Sequence, residues 1–310
     1  MNEPNPGPGQ QPAPRPGAPD ELAGRAAAAG CKICLRDVVK SFGAKRVLEG
    51  VNLEVGPGES VVVIGASGTG KSVMIKHVIG LIRPDSGTVE VDGVAVDKLD
   101  NRSITEFRRR FGMAFQEGAL FDSMTVWDNI AFPLRRLTRK SPAEIDRRVE
   151  ECLAMVRLEG VGGKLPSELS GGMRRRVGFA RAVAHEPEIL LFDEPTTGLD
   201  PVTAAQVGEV IIHLGKRLKT TTLTITHDME IAFSIADRIA MLDRGKIIAE
   251  APPEEFRHLD DARVQQFIHG RAQGPLSEGH APGDAGSGEA AGFASPPPPG
   301  GDPAPSGKTG

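Results

Sequence analysis

The residues of this chain that are best suited to chemistry lie in a glycine-rich loop, GASGTGKS, which runs from Gly65 to Ser72. The loop fits the pattern G-x-x-x-x-G-K-[ST] and follows a largely apolar run at 60–64 that predicts a buried strand, and helix-like sequence begins at Lys71. In this context backbone N–H groups cradle phosphate oxygens beside the positive end of the helix. We therefore predict that phosphate is bound by Gly65, Ala66, Ser67, Gly68, Thr69, Gly70, Lys71 and Ser72.

Four polar side chains in or after the loop are suited to hydrolysis of a bound nucleotide. Lys71 would reach the β- and γ-phosphates of a nucleotide, and Ser72 would offer its hydroxyl to Mg²⁺. Farther along the chain, four apolar residues at 189–192 predict a strand that ends in Asp193 and Glu194. Asp193 would act near the metal, and Glu194 could polarise an attacking water as general base. Together with the loop, this pair predicts hydrolysis of a nucleotide.

These motifs resemble those of the ATP-binding-cassette (ABC) ATPases. GASGTGKS, Gln116, LSGGM at 169–173, ILLFDEP, the turn at 198–200 and His227 occur in the order and spacing of that family, and the similarity covers residues 33–250. It implies an α/β fold of the P-loop NTPase class with ATP and Mg²⁺ as cofactors. It also implies a head-to-tail homodimer, in which each ATP lies between one chain's glycine-rich loop and the other chain's LSGGM segment.

The implied dimer makes physical sense of the LSGGM segment. Ser170, Gly171 and Gly172 are expected to open a helix, and the first N–H groups of a helix form an anion site because they have no partner within it. The chain already has one phosphate cradle. A second anion site therefore suits the γ-phosphate of a neighbouring chain's ATP.

The resemblance also implies roles for four isolated residues. Gln116 would contact Mg²⁺ and the attacking water, and His227 would contact the γ-phosphate. Phe42 lies where the family usually has a tyrosine that stacks on adenine, and stacking does not require a hydroxyl. Asp200 would link the two ATP sites across the dimer. Outside the family, the first three would be a surface glutamine, a structural histidine and a core phenylalanine.

Two features near LSGGM need separate interpretation. The fifth position is usually glutamine in the family and is Met173 here. The change matters little if the phosphate contacts come from Ser170 and from backbone N–H groups. Three arginines follow on the same predicted helix, at 174–176, and the simplest prediction for them is a solvated basic face rather than a special phosphate site.

Composition divides the 310 residues into a globular part and two tails. The termini at 1–30 and 277–310 are rich in Pro, Gly and Ala and are predicted to be disordered, because they cannot bury enough apolar area. Between them we predict an ATPase domain at 31–251, with a helical insert at about 121–169, and a C-terminal helical extension at 252–276.

Charge and hydropathy limit the partners of the chain. A formal net charge of −4 gives no reason to expect nucleic acid. No apolar run approaches the roughly 18 residues that a spanning helix needs, and the amino terminus has no signal-peptide pattern. We therefore expect a soluble chain that is peripheral to the cytoplasmic face of the inner membrane and serves a membrane subunit.

The coarse pattern of elements predicts two sheets. Alternating segments at 33–39 and 47–55, with a hairpin at 88–96, form an antiparallel β-subdomain. A largely parallel core sheet contains strands at 60–64, 111–115, 189–192 and 222–226. In the helical insert, Ser141 begins a helix that has an apolar stripe, and a hairpin at 238–250 closes the domain.

The three cysteines predict no metal site. Cys31 and Cys34 form a C-x-x-C, but no second pair or nearby histidines complete a zinc site. The third, Cys152, lies in the insert, and the chain has no export signal. We expect reduced, inert thiols.

Two segments bear on what the ATPase drives. FQEGALFDSMTVWDNIAFPLR at 115–135, which contains Gly118–Phe121, and ARVQQFIHGRAQGPL at 262–276 both resemble segments of the ATPases of bacterial Mce-type lipid transporters, including the Mla phospholipid system. The resemblance implies a separate permease, an Mce-domain lipid-binding protein and a small cytoplasmic regulatory subunit as partners.

Two alternatives stay open at this point. An importer ATPase for amino acids or similar solutes would have a nearly identical cassette, and so would a division-type ATPase that moves no substrate and pulls on a membrane protein. A GTPase is disfavoured because no N-K-x-D segment is present. The lipid, the direction of transport and the permease are not specified by the sequence.

The segment at 262–276 has two possible packing partners. Val264, Phe267 and Ile268 lie at helical spacing, and the helix should end near Gly270. A helix this short is only marginally stable alone, so its apolar face must pack on a surface. That surface is either the chain's own closing hairpin or, for the part after Gly270, the neighbouring ATPase.

Overall fold

The computed structural model describes residues 30–116 and 118–277. Within this part of the chain the strands are β1 (Ile33–Phe42), β2 (Lys45–Val55), β3 (Ser60–Ile64), β4 (Ser86–Val91), β5 (Val94–Ala95), β6 (Phe111–Ala114), β7 (Ile189–Asp193), β8 (Thr221–Thr226), β9 (Arg238–Asp243) and β10 (Lys246–Ala251). The helices are α1 (Lys71–Val78), α2 (Asn101–Arg108), α3 (Val126–Leu137), α4 (Pro142–Met155), α5 (Gly171–Val183), α6 (Pro201–Leu218), α7 (Met229–Ile235), α8 (Pro253–Arg257) and α9 (Ala262–Ile268).

The strands form the two predicted sheets. The larger sheet has the order β10-β9-β3-β8-β7-β6, and all of its neighbouring pairs are parallel except β9 with β10. The smaller sheet has the order β2-β1-β4-β5 and is antiparallel. The expected parallel core sheet, antiparallel subdomain and closing hairpin are therefore confirmed.

The larger sheet has a hydrophobic core on each face, and β3 shows this most directly. Val61 and Val63 pack in the core shared with the smaller sheet and α1, whereas Val62 and Ile64 pack in the core under the other helices. All four side chains are fully buried. Successive side chains of a strand point to opposite faces, so this uninterrupted apolar run is what a strand covered on both faces requires.

The helical insert is present where it was predicted. Its helix α4 begins with a capping box, in which Ser141 Oγ accepts from the Glu144 backbone and the Glu144 carboxylate accepts from the Ser141 backbone N–H. Pro142 occupies the first helical position, where a missing N–H costs nothing. The predicted apolar stripe is buried and consists of Ile145, Val149, Cys152, Leu153 and Val156.

The C-terminal extension packs on its own domain. Val264 of α9 is fully buried in the helix-side core. After Gly270 the chain folds back over α9, because the Gln266 side chain donates to Arg271 O at 3.1 Å and accepts from Leu276 N at 2.8 Å. Leu276 packs against the same core. This arrangement favours the chain's own domain over a neighbouring subunit as the surface for residues 271–277.

The expectation of reduced thiols at Cys31 and Cys34 is wrong for this structure. The two residues form a disulfide with their Cα atoms 6.0 Å apart, a separation within the usual range for such bonds. The bend at Lys32, just before β1 begins, brings Cys31 close enough to Cys34. Cys152 is free and buried, and burial raises the pKa of its thiol to about 11, so it stays protonated at neutral pH.

The remaining expectations concern the two tails, the domain boundaries and membrane-spanning helices. The predicted disordered tails at 1–30 and 277–310 lie outside the described residues, apart from Gly30 and Ser277. The domain boundaries at 251 and 276 stay predictions. No helix in the described residues is both long enough and apolar enough to span a bilayer.

The packing of the extension predicts the effect of shortening the chain. Truncation after Gly270 removes the contact of Leu276 with the core and its hydrogen bond to Gln266, so the free energy of unfolding should fall by about 1–2 kcal/mol. Truncation after Ser277 keeps both contacts and serves as the matched control. Thermal or urea unfolding of the two chains gives the difference, and coincident curves would contradict packing of residues 271–277 on their own domain.

Candidate functional site

The candidate site lies at the carboxyl edge of the larger sheet. β3, β8 and β7 are adjacent and parallel, with Ile64 paired to Thr226 and Asp193 paired to Ile225. The residues that follow these strands therefore emerge side by side. This register brings together the glycine-rich loop, Glu194 and the segment that contains His227, although they are far apart in sequence.

The loop depends on glycine at two points where other parts of the chain come very close. At Gly65, with φ of 154°, a Cβ atom would overlap the carbonyl oxygen of Leu242 in neighbouring β9. At Gly70, with φ of 108°, a Cβ atom would lie 2.8 Å from Leu48 Cδ2. Both φ values lie in a region that side-chain-bearing residues rarely adopt. The loop thus has the backbone shape that a phosphate cradle requires, and α1 begins directly after it.

Lys71 is held beneath the loop. Its Nζ donates to Gly65 O at 2.7 Å and to Ala66 O at 3.1 Å, and Glu194 Oε1 lies 3.4 Å away. The residue is only 5% exposed. The ammonium is therefore fixed at the loop, within reach of the carboxylate of Glu194.

Ser72 and Asp193, the two predicted metal ligands that flank the loop, are joined by a hydrogen bond. Ser72 Oγ donates to Asp193 Oδ1 at 3.2 Å. Burial raises the pKa of Asp193 above its ordinary value and the charge of Glu194 adds to this effect, whereas the Ser72 hydrogen bond opposes it. A cation would favour the ionised form of this carboxylate.

Glu194 is positioned by its backbone and by two hydrogen bonds. Its φ of 49° is unusual for a residue with a side chain, and its N–H donates to Ile225 O at 2.9 Å. Its Oε2 lies 2.8 Å from His227 Nδ1 and accepts from Thr197 Oγ1 at 3.0 Å. The predicted general base and the predicted γ-phosphate sensor are therefore in direct contact.

The LSGGM segment meets the Asp200 turn. Ser170 caps α5 by accepting from Met173 N at 3.3 Å, as expected for a helix that opens at Gly171. Asp200 caps α6 by accepting from the backbone N–H and the hydroxyl of Thr203. These bonds, the hydroxyl first, lower the pKa of Asp200. A Cβ atom on Gly172 would overlap the Thr203 side chain, so the two segments touch.

Three predicted site residues are not joined to the loop by hydrogen bonds within the described chain. Ser170 bonds only within its own helix, to Met173 and Arg174. Phe42 is 49% exposed at the end of β1, with Lys40 Nζ 5.6 Å from its ring centroid, so it is not a core residue. Gln116 is exposed, and its contact in this region is through its backbone carbonyl.

The prediction of a solvated basic face at 174–176 is wrong. Arg175 is only 7% exposed, and its guanidinium donates to Gln116 O at 2.5 Å and to Thr197 O. Arg174 Nη1 donates to Leu169 O, and burial lowers the pKa of Arg176. Helical spacing could have predicted the burial of Arg175, since position 175 comes three residues after buried Gly172 on the same face of α5.

Comparison with known proteins identifies the family. The family model for ABC transporters matches residues 48–197. The probable ribonucleotide transport ATP-binding protein mkl of Mycobacterium tuberculosis is 43% identical over 247 residues, which are 80% of this chain and 69% of that protein. This chain belongs to the ABC transporter family. The resemblance inferred from the motifs is thereby confirmed.

Two further relatives agree with this assignment. The intermembrane phospholipid transport system ATP-binding protein MlaF of Haemophilus influenzae is 38% identical over 234 residues, which are 76% of this chain and 89% of that protein. The dimeric structure of the ATP-binding cassette MJ0796 bound to ADP and phosphate superimposes with a TM-score of 0.66 at 34% identity, covering 71% of this chain and 98% of that one. The chain therefore has the ABC ATPase fold and hydrolyses ATP. The roles of its individual residues stay predictions.

The contacts of Glu194 predict how hydrolysis depends on it. Glu194→Gln keeps the shape of the side chain but removes the carboxylate that would accept a proton from water. ATP hydrolysis should slow by about 10²–10⁴-fold, the usual scale for loss of a general base. Binding of ATP, measured by calorimetry, should persist, and an ATP-bound dimer should accumulate. A rate close to that of the unchanged chain would rule out this role.

Proposed function

We propose that this chain is the ATP-hydrolysing subunit of a bacterial ABC transporter that moves phospholipid or a related lipid between membranes. It acts as a head-to-tail homodimer on a separate permease. The observation that carries the lipid assignment is the similarity to MlaF, which extends over 89% of that protein. The resemblance of the segments at 115–135 and 262–276 to Mce-type ATPases supports the same assignment.

The site contains groups suited to each part of the nucleotide. The exposed ring of Phe42 offers a face for adenine, and the glycine-rich loop offers its N–H groups to the phosphates. Lys71 Nζ contacts two carbonyls of the loop and the carboxylate of Glu194. A γ-phosphate oxygen would replace one of these three contacts. In this state Glu194 is released from Lys71 to face a water molecule.

The ligands available for Mg²⁺ fit that ion. Ser72, Asp193 and the side chain of Gln116 have oxygen atoms, which Mg²⁺ prefers as ligands, and a cation would offset the burial that raises the pKa of Asp193. In the described residues there is no group of three or more His, Cys, Asp or Glu side chains that could hold a metal. Phosphate and water oxygens would therefore complete the coordination, and the ion would neutralise charge on the phosphates.

Glu194 and His227, which are in contact, have separate roles in the proposed hydrolysis. The Glu194 carboxylate accepts a proton from the attacking water, and His227, whose side chain is about half exposed, can turn toward the γ-phosphate. Thr197 keeps its hydrogen bond to Glu194 Oε2, which fixes the orientation of the base. Asp200, at the start of α6, lies on the surface beside LSGGM, where a partner chain would meet it.

The dimer explains why Ser170 makes no hydrogen bond to the loop of its own chain. Its hydroxyl and the N–H groups of Gly171 and Gly172 would serve the γ-phosphate held by the partner chain. MJ0796, which has the same fold, is dimeric. Each chain then contributes half of each of two ATP sites.

Shared sites predict complementation between two inactive chains. A chain with Ser170→Arg and a chain with Lys71→Ala should each lack ATPase activity when alone. When they are mixed, each heterodimer has one site with both lesions and one intact site, so about half of the normal rate per heterodimer should return. Steady-state ATPase assays on titrated mixtures measure the recovery. Heterodimers that form but stay inactive would argue against shared sites.

An exposed aromatic surface is the proposed contact with the permease. Phe115 and Phe121 are 41% and 43% exposed, and the Phe121 ring packs on Phe132 with centroids 5.1 Å apart. Arg181 holds this segment by donating to Gly118 O and Ala119 O. The permease would recruit the chain to the cytoplasmic face of the inner membrane, with an Mce-domain protein and a small regulatory subunit as further partners.

A second function is favoured by one observation. The relative mkl, with 43% identity, has a name that specifies ribonucleotide transport, a small-solute cargo. An importer of small solutes therefore stays the competing proposal. A division-type ATPase that moves no cargo has no comparable support.

The lipid assignment predicts what accompanies the chain from membranes. Purified in mild detergent, the complex should contain an integral-membrane protein and phospholipid. After reconstitution in vesicles of phosphatidylethanolamine and phosphatidylglycerol, it should hydrolyse ATP faster than in detergent alone. Phe121→Asp should weaken recovery of the membrane protein about tenfold or more, because an unpaired carboxylate in an apolar contact costs more than about 1.4 kcal/mol.

Val94→Asp is the matched control for this experiment. Val94 is also a large apolar residue, 39% exposed, but it lies on β5 of the smaller sheet. Recovery of the membrane protein should not change in this variant. A complex without bound phospholipid, whose ATPase activity at fixed ATP concentration rises with added ribonucleotides other than ATP and not with vesicles, would replace the lipid assignment with the solute importer.

A further inference from the structure

Arg175 occupies an unusual position for a charged side chain. It belongs to α5, the helix that LSGGM opens, and it is 7% exposed. A buried guanidinium is costly unless its N–H groups have acceptors. Two of its nitrogens have acceptors on the chain's own backbone: Nε donates to Gln116 O at 2.5 Å, and Nη2 donates to Thr197 O.

Both acceptors belong to segments that carry proposed catalytic residues. The Gln116 carbonyl belongs to the residue whose side chain would contact Mg²⁺ and water. Thr197 donates through its hydroxyl to Glu194 Oε2 at 3.0 Å. One guanidinium therefore fixes the backbone of Gln116 and, through one intervening residue, the carboxylate of the general base.

We infer that Arg175 is a positioning residue for the ATP site of its own chain, although it lies on the helix whose first turn serves the partner's ATP. This inference rests on the roles proposed above for Gln116 and Glu194. When α5 moves toward a partner's ATP, Arg175 carries Gln116 and Thr197 with it. Closure of one site is thus transmitted to the alignment of water and base in the other.

The chemistry of arginine is essential to this role. The planar guanidinium has donors that point in different directions, so it can bridge two carbonyls on separate segments. A lysine has all its donors on one nitrogen at the end of a flexible chain, so it cannot place donors at the two separate points that Nε and Nη2 of Arg175 occupy. Arg175→Lys therefore keeps the charge and most of the volume but loses the bridge.

Arg148 provides a matched control on α4, the helix of the insert that packs against α5. It is also 7% exposed, and it also donates through Nε and Nη2 to two backbone carbonyls, those of Ala184 and Val183. These acceptors lie at the end of α5, away from the nucleotide loop. Arg148→Lys therefore reproduces the loss of a buried bridging arginine without touching Gln116 or Thr197.

The first measurement is steady-state ATPase kinetics of the full chain. Arg175→Lys should lower kcat about 10- to 100-fold, the scale of a small misplacement of reacting groups, and should change KM for ATP by less than about twofold. Arg148→Lys should lower the melting temperature to a similar extent and leave kcat within about twofold. Equal effects of the two substitutions on kcat would show a structural role alone and would overturn the inference.

The second measurement places the substitution in one chain of a heterodimer. In the mixture of Ser170→Arg and Lys71→Ala chains, the intact site uses the loop of the Ser170→Arg chain. Arg175→Lys added to that chain should reduce the recovered activity about tenfold or more, whereas the same change in the Lys71→Ala chain should have little effect. Equal losses, or the reverse order, would contradict action within the same chain.

Other results would refute the proposed ATP sites themselves. A mixture that recovers no activity without any change at Arg175 would refute shared sites, and Glu194→Gln with a normal rate would refute the base. Neither result depends on Arg175. If shared sites fail, the kinetic comparison of Arg175→Lys with Arg148→Lys still tests the inference. If the base fails, the link through Thr197 is refuted and the comparison tests the link through Gln116.

Discussion

The candidate site depends on the parallel pairing of β3, β8 and β7. Because these strands run in the same direction and in register, their carboxyl ends meet at one edge of the sheet. Backbone hydrogen bonds thereby place the glycine-rich loop beside Glu194 and His227. The uninterrupted apolar sequence of β3 supports this geometry, since a strand covered on both faces can occupy the middle of the sheet.

Close backbone contact then fixes the loop. Gly65 lies against Leu242 of β9, and Gly70 lies against Leu48 of the smaller sheet. The smaller sheet is also bonded to the closing hairpin, where Glu49 N donates to Gly245 O at 2.8 Å. The antiparallel subdomain is therefore attached to the core next to the loop, and Phe42 lies in the same subdomain, exposed at the end of β1.

Arginines attach the helical insert to the rest of the domain. Along α5, Arg175 donates to the segments of Gln116 and Thr197, and Arg181 donates to Gly118 O and Ala119 O. From α4 of the insert, Arg148 donates to the carbonyls of Val183 and Ala184 at the end of α5. Gly118 and Gly178 let the backbones come close, with a Cβ on Gly178 only 2.9 Å from Gly118 Cα. One helix thus connects LSGGM, the Gln116 segment and the aromatic surface of Phe121.

The sequence by itself determined the fold class and the positions of the core strands, because these depend on apolar periodicity and on the spacing of the motifs. The same motifs carried the resemblance to the family and the prediction of residues 65–72, 193 and 194 as parts of the site. It also predicted the capped helix at Ser141. Only the tertiary structure decided which distant groups meet. The contact of Glu194 with His227 follows from the register of β7 and β8, the disulfide of Cys31 with Cys34 follows from the bend at Lys32, and residues 271–277 return onto α9 through the Gln266 side chain. The buried bridge made by Arg175 ends on backbone carbonyls. Every residue has a carbonyl, so its use as an acceptor leaves no trace in the amino-acid sequence.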